Sequence, residues 1–245
     1  GDVGSSIYYA LGATALFALG ATPLALMLAG FVFVCTSFSY AELGATFPEP
    51  GGSATYTRYA FNDLISFIAG WALLLDYIVT MAISAFTIPP YVRTFGKGLG
   101  FDILPSTFMH VGITVLILMG LYFLNLVGIR QSGRVNFLLA VLTAISQALV
   151  VGFGVFVLIN LPHVIDQLKI GVQADWSPSW GEFFKGTAMA MVAYTGIEAI
   201  AQLAGETKKP QTAVPRAIKR TVYILLAMYL GISLVAMSVI SPHEL

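Results

Sequence analysis

Apolar positions in this chain fall into long blocks separated by short polar stretches, and the length of the blocks is informative. A helix that crosses a bilayer needs about 20 mainly apolar residues. Spans of that kind are expected near 24–46, 63–88, 107–126, 135–160, 182–204 and 219–242. A shorter apolar segment at 4–19 precedes them, followed by a Gly-Ala-Thr-Pro turn around Pro23. That first segment is too short to span alone and reads as the outer half of a helix. The pattern predicts an all-α membrane protein of about seven membrane segments, with 1–245 as one membrane domain.

The polar stretches alternate between two sides. On one side lie 47–62, 126–135 and 205–220; on the other lie 89–106, 161–181 and Ser241–Leu245. The first set carries Arg58, Arg130, Arg134, Lys208, Lys209, Arg216, Lys219 and Arg220, eight of the 12 basic residues. The second carries Arg93, Lys97, Lys169 and Lys185. An excess of Lys and Arg marks the cytoplasmic side. Loops 47–62, 126–135 and 205–220 are therefore expected in the cytoplasm, and the protein in the plasma (cytoplasmic) membrane. Trp176 and Trp180 fit an outer interfacial belt.

Composition agrees with the pattern. The 245 residues are 58% hydrophobic and 10% charged, with a mean hydropathy of +0.85. Soluble domains carry about a quarter charged residues, and one water-soluble core of this size cannot hide so much apolar surface. A lipid bilayer removes the difficulty. The net charge is zero, which leaves no electrostatic case for a nucleic-acid partner. The single Cys35 sits in an apolar run and reads as a small packing residue. There is no signal-peptide pattern, the first residue is Gly1, and residues 3–41 hold no charge. The native start is expected upstream.

Ionisable groups inside spans are costly and need a reason. The candidates are Asp2, Glu42, Asp76 and Glu198. Glu42 lies near the cytoplasmic end of its span and reads as reaching the interface. Asp76, Thr80, Ser84 and Thr87 are spaced i, i+4, i+8 and i+11, one helical face. Such a stripe either ties helices together or lines a cavity. A second stripe is expected through Ala190, Tyr194, Glu198 and Gln202. Small and β-branched residues beside Gly196 weaken that helix. A broken helix at membrane depth is tolerated only where protein or a water-filled cavity satisfies its backbone. Gly1–Ser6 has the same character, and its amides would open a half-helix that attracts a carboxylate. Two interrupted segments in corresponding places point to a transporter site; a packing glycine in an ordinary helix is the plain alternative for each.

At these residues the chain resembles the amino acid–polyamine–organocation superfamily of permeases. Gly4-Ser5-Ser6-Ile7-Tyr8 is similar to the family's Gly-Ser-Gly-Ile-Phe break in the first helix. Phe47-Pro48-Glu49-Pro50-Gly51-Gly52-Ser53 is similar to its loop after the second. Asn125 to Asn136 resembles the loop between helices four and five, and Ala193–Glu198 with Gly205–Pro210 resembles helix six and the loop beyond. Gly70–Tyr77 is similar to the cationic amino acid transporter branch, with Asp where that branch has Glu. The resemblance implies two inverted five-helix repeats, with helices one and six broken. The first repeat would occupy 1–160 and the start of the second 182–245, leaving the C-terminal helices of a parent chain absent. It also implies that Gly4, Ser5 and Ser6 hold a substrate carboxylate while the Tyr194, Thr195 and Gly196 backbone faces its amino group. Ser6 departs from the family glycine. Thr143 falls where some proton-coupled members carry a lysine, with Gln147 one turn further. Asp76 would then be neutral and hydrogen-bonded to Thr143 or Gln147, or ionised beside sodium or a cationic substrate.

The implied function is secondary transport of amino acids or related amines, with possible coupling to H+ or Na+ and no cofactor or catalytic residue. A seven-helix receptor or photoreceptor is the alternative, although 221–242 lacks the lysine that retinal requires. His110, His163 and His243 have no metal-ligand spacing.

Overall fold

A computed structural model describes residues 6–100, 107–127, 129–158 and 161–239. Among the described residues there are helices and no strands. The main helices are α1 (Ile7–Ala18), α2 (Thr22–Thr46), α3 (Ser53–Ala60), α4 (Asp63–Gly98) and α5 (Thr107–Val127). After them come α6 (Ile129–Phe153), α7 (Leu161–Gln167), α8 (Trp180–Ala190), α9 (Ile197–Gln202) and α10 (Pro210–Val239). Five stretches are long and apolar enough to cross a membrane: 7–46, 63–98, 135–157, 180–205 and 210–239, with a shorter apolar helix at 108–124. Large apolar side chains such as Phe67, Phe86, Phe108 and Phe156 are exposed along them. Water would not tolerate that surface, and hydrocarbon does. The chain is an integral membrane protein.

Several expected boundaries move, each for a local reason. The first turn is a 3₁₀ turn over Leu19–Ala21, and Thr22-Pro23 begins α2 rather than forming the turn. Proline suits a helix start, where its missing N–H has no partner to lose. At 12 residues, α1 is about 18 Å long, roughly half a bilayer core. The span expected to stop at 88 runs on to Gly98 through Pro89 and Pro90. Pro89 cannot donate to the Ala85 carbonyl, and the Thr114 hydroxyl of α5, 3.5 Å from that oxygen, donates more closely to the His110 carbonyl at 2.9 Å. Helix α10 likewise starts at Pro210, not 219, and contains Pro215. Part of loop 47–62 is the helix α3, and most of 126–135 belongs to α5 and α6. Cys35, expected among packed residues, is exposed.

Two compact units are distinguished, one of residues 1–70 with 141–245 and one of 71–140. In the first, α1 packs along α8 and α2 along α10. Their shared core includes Ile7, Leu26, Phe33, Tyr194, Ile218 and Tyr229. Small residues set the spacing: a Cβ at Gly186 would lie 2.7 Å from the Ala18 Cβ and 2.8 Å from its backbone nitrogen. The amide of Gly20 donates to the Trp176 carbonyl at 2.9 Å, fixing the 168–179 loop on the α1–α2 turn. Helix α8 opens on a capping box, with the Ser179 amide donating to Glu182 Oε2 at 2.8 Å. In the second unit, Asp76, Thr80, Ser84 and Thr87 are half-buried while Leu74, Leu75, Ile78 and Val79 are exposed. The polar stripe is the inward face of α4.

Gly186→Ala should lower the stability of the detergent-solubilised protein by about 1–3 kcal/mol, as overpacking does. Gly181, in the same helix, has open space around it. Gly181→Ala should therefore gain up to about 1 kcal/mol from helix propensity alone. Unfolding midpoints of the two variants that move in the same direction would refute the α1–α8 packing.

Candidate functional site

The apolar stretch 180–205 is not one helix. After α8 the chain tightens into a 3₁₀ turn over Met191–Tyr194, Thr195 is extended, and Gly196 takes φ +97° before α9 restarts. Positive φ at this position is what makes glycine necessary, since other residues reach that region only at a cost. The expected face through Ala190, Tyr194, Glu198 and Gln202 is therefore not a continuous helical stripe. The interruption falls where sequence weakness placed it, between Ala193 and Glu198.

Each residue at the break is occupied. The Tyr194 ring is buried between Phe33 (centroids 5.1 Å apart) and Tyr229 (5.2 Å). Its hydroxyl donates to the Leu26 carbonyl of α2 at 2.9 Å. Gly30 makes room for it, because a Cβ there would lie 2.9 Å from that hydroxyl. Thr195 Oγ1 donates to the Val192 carbonyl at 3.3 Å. Glu198 bends back so that its Oε1 accepts from the Gly196 amide at 3.0 Å. The side chain of Tyr194 is thus committed to the core, leaving the backbone of the break as the part that can face a ligand.

Helix α1 packs against the 3₁₀ turn Met191–Tyr194. Ser6, at its start, is fully buried with helical φ −60° and ψ −26°. Asp2, Gly4 and Ser5 lie outside the described residues. From α1, Tyr8 reaches α6: its hydroxyl is 3.1 Å from Ser146 Oγ, which itself donates to the Thr143 carbonyl at 2.9 Å. Ser146 has one proton and spends it on Thr143, so Tyr8 is the donor of that pair. Gln147 is buried and Thr143 half-buried on the inward side of α6. Asp76 belongs to the other compact unit, on the polar face of α4.

Sequence reasoning missed the Tyr194–Leu26 brace and the Tyr8–Ser146 bond. It also gave the Pro48–Ser53 loop no structural role. Gly51 and Gly52 have φ of +120° and +54°, and a Cβ on Gly52 would lie 3.0 Å from Gln202 Cγ of α9. A Cβ on Gly205 would lie 2.8 Å from Pro50. That loop holds the far side of the interrupted helix. Outside the spans, Tyr59 donates to Glu49 Oε1 at 2.8 Å, and this bond to a carboxylate raises the phenol above its usual pKa. No group of three or more potential metal-binding side chains occurs among the described residues.

An amino acid permease family model matches residues 1–245. The branched-chain amino acid permease BcaP of Bacillus subtilis is 24% identical, covering 97% of this chain and 52% of its own. The inner membrane transport protein YbaT of Escherichia coli is 28% identical over 99% of this chain and 54% of its own. Cationic amino acid transporter 7, chloroplastic, of Arabidopsis thaliana is 25% identical over 100% of this chain and 43% of its own. The chain spans about half the length of these relatives. The match leaves the receptor and photoreceptor alternative without support. With an all-α membrane fold, a helix interrupted at Thr195–Gly196 and a family match along its whole length, this chain belongs to the amino acid permease family.

Proposed function

We propose that the protein works as a secondary transporter of amino acids or related amines, by alternating access around the interrupted helix. The observation that carries this reading is the break at Tyr194–Gly196 in an apolar, membrane-length stretch, with the start of α1 packed against it. Free backbone groups at membrane depth are kept only where something polar uses them. An amino acid supplies both partners: a carboxylate for the amides of Gly4, Ser5 and Ser6, and an ammonium for the carbonyls of Tyr194, Thr195 and Gly196. Names of relatives support the substrate class, since they include permeases and transporters of branched-chain and cationic amino acids. The transporting unit includes further C-terminal helices, and it sits in the cytoplasmic membrane with loops 47–62, 126–135 and 205–220 inside.

Asp76 is the leading coupling residue of this proposal, either titrating with H+ or pairing with Na+ or a cationic substrate. Its half-buried face shared with Thr80, Ser84 and Thr87 supports a polar path rather than lipid exposure. Thr143, Gln147, Glu198 and Asp2 are the other candidates. Glu198 is the weakest of them, because its carboxylate already caps Gly196.

Two substitutions in the full-length protein test the reading. Gly196→Leu adds bulk where φ is +97°, at a strain of about 1–3 kcal/mol. It should weaken substrate binding by at least about tenfold, or 1.4 kcal/mol, while the purified protein stays folded. Binding within error of wild type would place the site elsewhere.

Asp76→Asn keeps shape and hydrogen bonding but cannot titrate. Uptake into proteoliposomes across pH and sodium gradients should lose its ion dependence in this variant. An unchanged rate, pH profile and sodium response would make Asp76 structural.

A further inference from the structure

A groove of about 430 Å³ opens on the first compact unit between α2 and α10. Small-molecule sites run to roughly 300–1,000 Å³, so it has ligand size. From α2 it takes Phe38, Ala41, Glu42 and Ala45, spaced i, i+3, i+4 and i+7. From α10 it takes Lys219 and Tyr223, spaced i and i+4. Their depth along the helices matters as much as their chemistry. Glu42 is one turn from the end of α2 at Thr46, and Lys219 lies in the early turns of α10, which starts at Pro210. Both charges sit at the same rim of the apolar stretches. Phe38 and Tyr223 each lie one turn deeper into their spans than the charge beside them, and both are exposed.

We propose that this groove is a headgroup site for an amine-bearing phospholipid of the phosphatidylethanolamine class, in the leaflet where α2 ends. The chemistry is complementary group by group. Glu42 and Lys219 are exposed, and neither takes part in the ion pairs Arg58–Asp63 and Lys169–Asp166. A primary ammonium donates hydrogen bonds to the Glu42 carboxylate, while the phosphate accepts from Lys219. Choline cannot donate to Glu42, and an anionic glycerol headgroup puts no cation against it. The small side chains of Ala41 and Ala45 leave the space, and Phe38 and Tyr223 offer apolar walls to the acyl chains below. Neither charge belongs to the candidate transport site, so the assignment stands independently of the transport reading.

The test uses the full-length protein in detergent, titrated with phosphatidylethanolamine, phosphatidylcholine or phosphatidylglycerol of identical acyl chains, with bound lipid read by native mass spectrometry. Wild type should retain the ethanolamine lipid above the other two. Glu42→Gln should erase that preference, cutting its occupancy about three- to fivefold, the size of one partly exposed charge contact. Lys219→Gln should weaken ethanolamine and choline lipids alike. Ala45→Trp fills the groove without changing a charge and should displace both, which separates occupancy of the groove from general surface charge. Equal retention of the three lipids by wild type overturns the proposal. So does a preference that survives all three substitutions, the result expected if the rest of the polypeptide covers the groove.

Discussion

In hydrocarbon a peptide group has no water to turn to, so an interrupted helix persists only as far as its surroundings hold it. Here the hold is the Tyr194 hydroxyl on the Leu26 carbonyl, 2.9 Å away in α2. A helical carbonyl has a second lone pair beyond its own i+4 donor, and a phenol can take it only where the helix surface is bare. Gly30 is that bare place. With its ring clasped by Phe33 and Tyr229, Tyr194 ties the break to α2 and α10 at once. Glu198 then caps the amide of Gly196 from the other side, so the left-handed glycine is bracketed by two fixed neighbours.

Small residues carry the same logic outward. Lipid offers little hydrophobic drive between helices, so association depends on close packing. Gly186 against Ala18 brings α8 onto α1, and a Cβ at Gly231 of α10 would lie 2.7 Å from Val151 of α6. Through the first of these approaches α1 runs along α8 and meets the 3₁₀ turn that follows it.

The spans were legible because a 20-residue apolar run has little use outside a bilayer, and the break at Gly196 because glycine beside β-branched residues weakens a helix. The face of α4 was legible too, since Asp76, Thr80, Ser84 and Thr87 keep strict helical spacing and turn inward together. Helix ends were not. Helix α4 runs on through Pro89 and Pro90, and α10 contains Pro215, and a proline in an apolar run does not by itself say whether the helix ends or continues. The commitment of the Tyr194 side chain was not legible either, because the partners of its ring and hydroxyl are 35 or more positions away on two other helices, invisible to spacing rules.

Ser6 shows how far a motif departure reaches. Where the family pattern has glycine, two properties are at stake, conformational freedom and lack of volume. The backbone of Ser6 is ordinary right-handed helix, φ −60° and ψ −26°, so freedom is not what the position demands. Volume is, because Ser6 is fully buried beside the start of α1. The replacement therefore leaves the path of the chain alone and changes the room and the polarity at the end of the half-helix, adding one hydroxyl that donates as well as accepts. A serine here thus keeps the helical path of the chain at the start of α1 while adding volume and a hydroxyl in a buried place.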